Sequence, residues 1–171
     1  MKRFLTLLTI ALSLVIINHS CKPDSQKCVD LGLPSGLKWA TCNVGANSPE
    51  EYGSYLTFNQ ACDTTYDGLR MPTMDELDEL RTQCTWTWTE QNGVNGYKVT
   101  GPNGNSIFLP AAGYRKGSLH DHVGSEGNYW SSTPGSYNDY CRAYFLFFVS
   151  RAQDMFTFFC SEGRSVRLVA E

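Results

Sequence analysis

Apolar and polar positions follow two different periods along the chain. From Thr73 the period is helical: Met74, Leu77 and Leu80 or Arg81 recur at i, i+3 and i+7. Thr73 is a good N-cap, and Glu76 completes a capping box with it. Asp75, Glu76, Asp78 and Glu79 gather in the first turns, where the helix dipole favours acids. This helix is expected to stop near Gln83-Cys84. A weaker one is expected over Tyr55 to Cys62, with Thr57 near its start and Leu56, Gln60 and Ala61 on one face.

Elsewhere the period is two. Thr85-Trp86-Thr87-Trp88-Thr89 alternates strictly and predicts a strand. Asn92-Gly93 and Asn95-Gly96 are turn signals. Tyr97–Thr100 and Ser106–Leu109 flank Gly101-Pro102-Asn103-Gly104-Asn105 and predict a hairpin. Two short strands are expected around Pro34-Ser35-Gly36, with loops over Asn43–Gly53, Asp63–Arg70 and most of Pro110–Glu126. Further strands are expected at Tyr129–Ser132, Arg142–Phe148, Met155–Cys160 and Ser165–Val169. Two helices among many short antiparallel strands make an α+β fold.

The segment from Tyr129 to Phe159 strains this pattern. It holds 11 of the 22 aromatic residues, many of them adjacent, so a strand sends them to opposite faces. Either both faces of those strands are covered or some rings are exposed. Trp130, Leu146, Phe148, Val166 and Leu168 are assigned to the core, and packing alone would add Phe145 and Phe156. Tyr137, Asn138, Asp139, Tyr140, Arg142, Tyr144, Phe147, Arg151, Phe158, Phe159 and Glu162 are assigned to an exposed, ligand-binding face. Aromatic rings give large contact area at low entropic cost, and arginine adds a planar cationic fork.

Charge and the first residues narrow the setting. Lys2 and Arg3 precede an apolar run from Phe4 to Ile17, and Asn18-His19-Ser20-Cys21 follows. That order is the layout of a lipoprotein signal, although Asn18 and His19 depart from a strict lipobox. Residues 1–20 are therefore expected to be a signal peptide, Cys21 the lipidated residue, 21–27 a tether and 28–171 the domain. Acyl chains on Cys21 would hold the protein on a membrane. Without Lys2 and Arg3, 12 basic face 17 acidic residues, a net charge of −5, and no basic run suits nucleic acid.

Export permits disulfides, and six cysteines follow Cys21, at 28, 42, 62, 84, 141 and 160. Cys141 and Cys160 lie symmetrically about a turn near Ser150-Arg151. A hairpin there would set them opposite each other, at a non-hydrogen-bonded pair. There is no Cys-x-x-Cys pair to suggest structural zinc. His120-Asp121-His122 carries metal-ligand chemistry without a third anchored ligand, and reads as an exposed polar loop. Asp63, Asp67 and Asp75 lack calcium-loop spacing. No cofactor or metal is expected. Arg70, Arg115, Arg164 and Arg167 read as structural guanidinium groups that satisfy loop carbonyls.

Several ordered blocks resemble one family. They are Val29-Asp30-Leu31-Gly32-Leu33-Pro34-Ser35-Gly36-Leu37-Lys38-Trp39-Ala40, Leu69-Arg70-Met71-Pro72-Thr73, Asn92-Gly93 with Tyr97, Phe108-Leu109-Pro110-Ala111-Ala112-Gly113-Tyr114-Arg115, Tyr129-Trp130-Ser131-Ser132-Thr133 and Gly163-Arg164-Ser165-Val166-Arg167. Together they resemble the major paralogous domain of Fibrobacter and Bacteroidetes lipoproteins. The resemblance implies a C-type-lectin-like fold, shared with formylglycine-generating enzymes and with variable proteins of diversity-generating retroelements. It also implies a Cys42–Cys84 disulfide, leaving Cys28 and Cys62.

Family members carry a polar, Asn- and Ser-rich run where this chain has its aromatics. Such a change is what adenine-directed retroelement diversification of a binding face produces. The formylglycine-generating cysteine motif is absent outside the general fold, and so is the calcium-dependent sugar motif. The expectation is therefore a non-enzymatic lipoprotein of the cell envelope, on the outer membrane or cell surface. It would bind an extracellular glycan, peptide or surface protein. The rival readings are a formylglycine-generating-type enzyme relative and a structural or fimbrial subunit.

Overall fold

The computed structural model describes residues 27–135 and 140–171. Cys21, the leader, most of the tether, and Tyr137, Asn138 and Asp139 of the expected face lie outside the described residues.

The described chain is mixed but dominated by strands. Its elements are β1 (Cys28–Asp30), β2 (Lys38–Asn43), α1 (Phe58–Asp63), α2 (Met74–Gln83), β3 (Thr85–Gln91), β4 (Val94–Thr100), β5 (Ser106–Pro110), β6 (Tyr114–Lys116), β7 (Leu119–Asp121), β8 (Glu126–Gly135), β9 (Arg142–Val149), β10 (Ala152–Phe159) and β11 (Arg167–Ala170). Four small sheets form, ordered β1-β2-β11, β10-β9-β8, β3-β4-β5 and β6-β7, and every strand pair in them is antiparallel. Among the described residues no helix is long and apolar enough to cross a membrane.

Local chemistry sets the helix starts. Thr73 accepts from the Glu76 backbone N–H, and the Glu76 carboxylate accepts from the Thr73 N–H at 2.8 Å. Thr57 and Gln60 make the same capping box at α1. Asn92-Gly93 forms the β3–β4 turn with both φ positive, 50° and 82°. Asn95-Gly96, also expected to turn, lies inside β4 instead. Gly96 is needed there because a side chain would collide with the Leu109 carbonyl and the Phe108 ring. The 110–126 segment, expected to be mostly loop, contains the short ladder β6–β7.

Two buried clusters surround the central strands. The first includes Trp39, Leu77, Leu80, Tyr97, Val99, Leu109, Tyr129, Leu146, Phe148 and Val169. The second includes Ala40, Phe58, Met71, Trp130, Ala143, Phe145, Val166 and Leu168. Neighbouring residues of β2, β8, β9 and β11 therefore enter different clusters. β8 and β9 bury both faces, which absorbs adjacent rings such as Tyr129 and Trp130. Gly127 faces Phe148 across the β8–β9 pair, and a Cβ there would strike the Phe148 ring.

Arg167 ties three strands together from within. It is buried and donates to Asn43 Oδ1 (2.8 and 3.0 Å) and to the carbonyls of Ala40 (3.0 Å), Thr41 (2.8 Å) and Phe108 (2.9 Å). Burial pulls its pKa down, but five hydrogen bonds hold the guanidinium, as expected of a structural arginine.

Candidate functional site

The site grows from the β9–β10 hairpin, whose turn is Ser150-Arg151. The register pairs Ala152 with Val149 and Phe159 with Arg142, which carries Cys160 to Cys141. These two form a disulfide with a Cα–Cα distance of 5.5 Å. The expected pairing is present, but at a hydrogen-bonded pair: Cys160 N–H donates to the Cys141 carbonyl at 3.1 Å. A two-residue turn closes on such a pair, Val149 and Ala152, and the disulfide lies eight positions along each strand from it, an even step that keeps the hydrogen-bonded parity. Closing a loop of this length, 19 residues apart in sequence, stabilises the fold by about 3 kcal/mol.

The hairpin has two faces. Ala143, Phe145 and Phe147 share one with Phe158, Phe156 and Asp154; Arg142, Tyr144 and Leu146 share the other with Phe159, Thr157 and Met155. Among the described residues β10 pairs only with β9 and forms the edge of its sheet. Both buried clusters stop at this edge, so rings that would be core on β9 emerge on β10. Phe156 is 47 % exposed, and Phe158 and Phe159 are also exposed. Packing alone would make Phe156 core, but its place on the edge strand exposes it. Its ring meets Phe147 edge-on at 5.7 Å and lies 6.3 Å from Phe145.

The other expected face residues separate. Tyr140 is 66 % exposed, and its ring meets Phe159 edge-on at 6.1 Å. The Arg142 guanidinium lies over the Phe159 ring at 4.7 Å. Arg151 is exposed in the turn, while Tyr144 and Phe147 are half-buried. Glu162 is not on the face: it is 8 % exposed and paired with buried Arg164 at 3.1 Å. The reason lies underneath. Arg164 sits over the rings of Phe145 (4.2 Å), Trp130 (4.4 Å) and Phe158 (5.2 Å). Desolvation pushes its pKa down to about 10, and the Glu162 carboxylate opposes that shift. A buried cation requires such a partner.

One end of the hairpin meets α1. The Phe58 N–H donates to the Cys160 carbonyl at 3.0 Å. Between them lies a shallow depression of about 430 Å³, lined by Thr57, Asn59, Tyr140, Phe159, Ser161 and the disulfide. Asn59 and Ser161 were not singled out in the sequence, and no local pattern could have found them. They join the aromatics only because α1 packs against the disulfide.

Away from the hairpin, the expected Cys42–Cys84 disulfide is not formed. Cys84 caps α2 against the first cluster as a thiol, whereas Cys42 lies on β2 beside Thr41 and near Arg167. Burial pushes Cys84 up to about 11 and raises Cys28 and Cys62 as well, so these thiols stay protonated near neutral pH. His120 stacks on Tyr55 at 4.5 Å and His122 on Tyr114 at 5.8 Å, each histidine with its own tyrosine. Among the described residues no three His, Cys, Asp or Glu side chains gather in a way that could hold a metal ion. No protein-family model, curated protein or solved structure matches the chain.

Proposed function

We propose that this protein is a lipid-anchored envelope protein that binds an extracellular ligand through the β9–β10 hairpin and the adjoining Tyr140. One observation carries the reading. Among the described residues six large apolar side chains are exposed, and four of them, Tyr140, Phe156, Phe158 and Phe159, belong to this region. Exposed rings grouped on one rigid element are a feature of contact surfaces rather than of inert ones. The disulfide and the two-sided packing of β9 hold the rings in place before a ligand arrives, which lowers the entropic cost of binding. The ligand class is a glycan, a peptide or a surface protein, and the activity is binding without turnover.

The C-type-lectin-like arrangement belongs to this proposal. Support comes from the first and last strands of the domain, which meet in one sheet, β1-β2-β11. Diversification by a retroelement is proposed on the aromatic content of the hairpin between its flanking blocks. A reverse transcriptase gene and a near-copy of the 3′ end beside this gene would support it; their absence would remove it.

An array of glycans and extracellular proteins, probed with the full chain, tests the function. Binding is expected, and is expected to fall in Tyr140→Ala, Phe156→Ala or Phe158→Ala while the melting temperature holds. A large loss of melting temperature in all three would make these rings core and end the reading. Cys21→Ser is expected to release the protein from membranes into the soluble fraction; continued membrane retention would refute the anchor.

A further inference from the structure

The depression between α1 and the disulfide end of the hairpin differs from the rest of the face in its chemistry. Its rings are Tyr140 and Phe159, and its polar groups are Thr57, Asn59 and Ser161. Among the described residues no carboxylate, ammonium or guanidinium lines it. Two described charged residues that adjoin the lining in sequence are already committed. Arg142 packs on the Phe159 ring, and Glu162 turns inward to Arg164. The Thr57 hydroxyl accepts from the Gln60 N–H, which leaves the Asn59 amide and the Ser161 hydroxyl to address a ligand.

We infer that this depression is a calcium-independent subsite for a neutral saccharide ring, within the ligand-binding face proposed above, on which the inference rests. A pyranose offers a face of weakly positive C–H groups and a rim of hydroxyls that both donate and accept. The exposed Tyr140 ring matches the first, beside the Phe159 ring that Arg142 covers on one face. An amide and a hydroxyl each donate and accept, and match the second. Among the described residues no cation lines the depression to receive an anionic ligand, and the Arg142 guanidinium is engaged on the Phe159 ring. A peptide strand would need open backbone edge groups, which lie along β10 outside the depression.

The volume, about 430 Å³, falls in the range of small-ligand sites, and the shallow shape lets a longer chain run out of it. The floor is rigid. The disulfide, the Phe58–Cys160 hydrogen bond and the Thr57–Gln60 capping box fix the elements that carry the lining. A prearranged floor suits a ligand whose individual hydrogen bonds are weak.

The test uses the full chain and fragments of neutral glucan, mannan, galactan and xylan, with saturation-transfer NMR and calorimetry, with and without a calcium chelator. At least one fragment is expected to bind equally in both conditions. Tyr140→Ala or Phe159→Ala is expected to weaken it by about tenfold. Asn59→Ala and Ser161→Ala, both at exposed positions, are expected to weaken it less, and Leu119→Ala, exposed on β7 and outside the lining, is expected to leave it unchanged. The inference is overturned if no neutral fragment binds, if only charged saccharides bind, or if binding survives in both ring variants. A protein ligand on the array that depends on Phe156, with no sugar bound, overturns this inference and leaves the broader reading standing. No binding of any kind to the hairpin overturns both.

Discussion

β9 and β10 are neighbours in one hairpin and draw on the same residue types, yet they meet opposite fates. β9 runs Arg-Ala-Tyr-Phe-Leu-Phe-Phe-Val and buries Ala143, Phe145, Leu146 and Phe148 on its two faces. β10 runs Ala-Gln-Asp-Met-Phe-Thr-Phe-Phe and leaves three of its rings exposed. The difference is position. β9 has β8 on one side and β10 on the other, with a hydrophobic cluster over each face. β10 has a single partner, and the clusters end beside it. Ring exposure here follows from sheet order and not from composition, so the same residue type is core on one strand and solvent-facing on the next.

That contrast can be tested most directly at one core ring and one edge ring. Phe148→Ala is expected to cost about 4 kcal/mol, because it empties a fully buried site beneath Gly127. Phe156→Ala is expected to cost about 1 kcal/mol or less, since it gives up only ring contacts at the edge. Chemical denaturation measures both, and equal losses would break the comparison.

A second test concerns the residue that changed sides. Glu162→Gln is expected to cost about 3 kcal/mol, because it leaves Arg164 charged and buried without its carboxylate. Tyr140→Ala, an exposed change nearby, is expected to stay within about 0.5 kcal/mol. If Glu162→Gln is silent in thermal unfolding, the carboxylate belongs to the surface after all.

The smallest effect on stability is expected at Asp154. Its carboxylate accepts from the Met155 N–H at 2.8 Å, which occupies a backbone donor on the open edge of β10. Asp154→Ala is expected to change stability by less than about 0.5 kcal/mol but to promote association between copies. Sedimentation over a concentration series would detect it. A monomer at every concentration would count against the rival reading of a strand-pairing structural subunit.

Much of the fold was legible because it depends on short-range chemistry. Thr73 with Glu76 announces α2, Asn92-Gly93 its hairpin, and the symmetry of Cys141 and Cys160 about Ser150-Arg151 the disulfide. Less was legible of the site. The parity of the disulfide pair depends on how the turn closes. Gly96 resembles a turn glycine until the approach of Leu109 shows why it is there. The Cys42–Cys84 pairing came from resemblance alone, and packing puts those two side chains in different surroundings.

The sequence by itself determined the periods, the caps, the turns and the hairpin centre, because each depends on residues a few positions apart. It also concentrated the aromatics in one segment. Only the tertiary structure decided which of them face out. It did so by placing β10 at a sheet edge where both clusters stop, and by seating Arg164 beneath Phe158 so that Glu162 had to turn inward. It also brought Asn59 and Ser161 to Tyr140 and Phe159, a meeting set by the packing of α1 on the disulfide and by no local pattern in the chain.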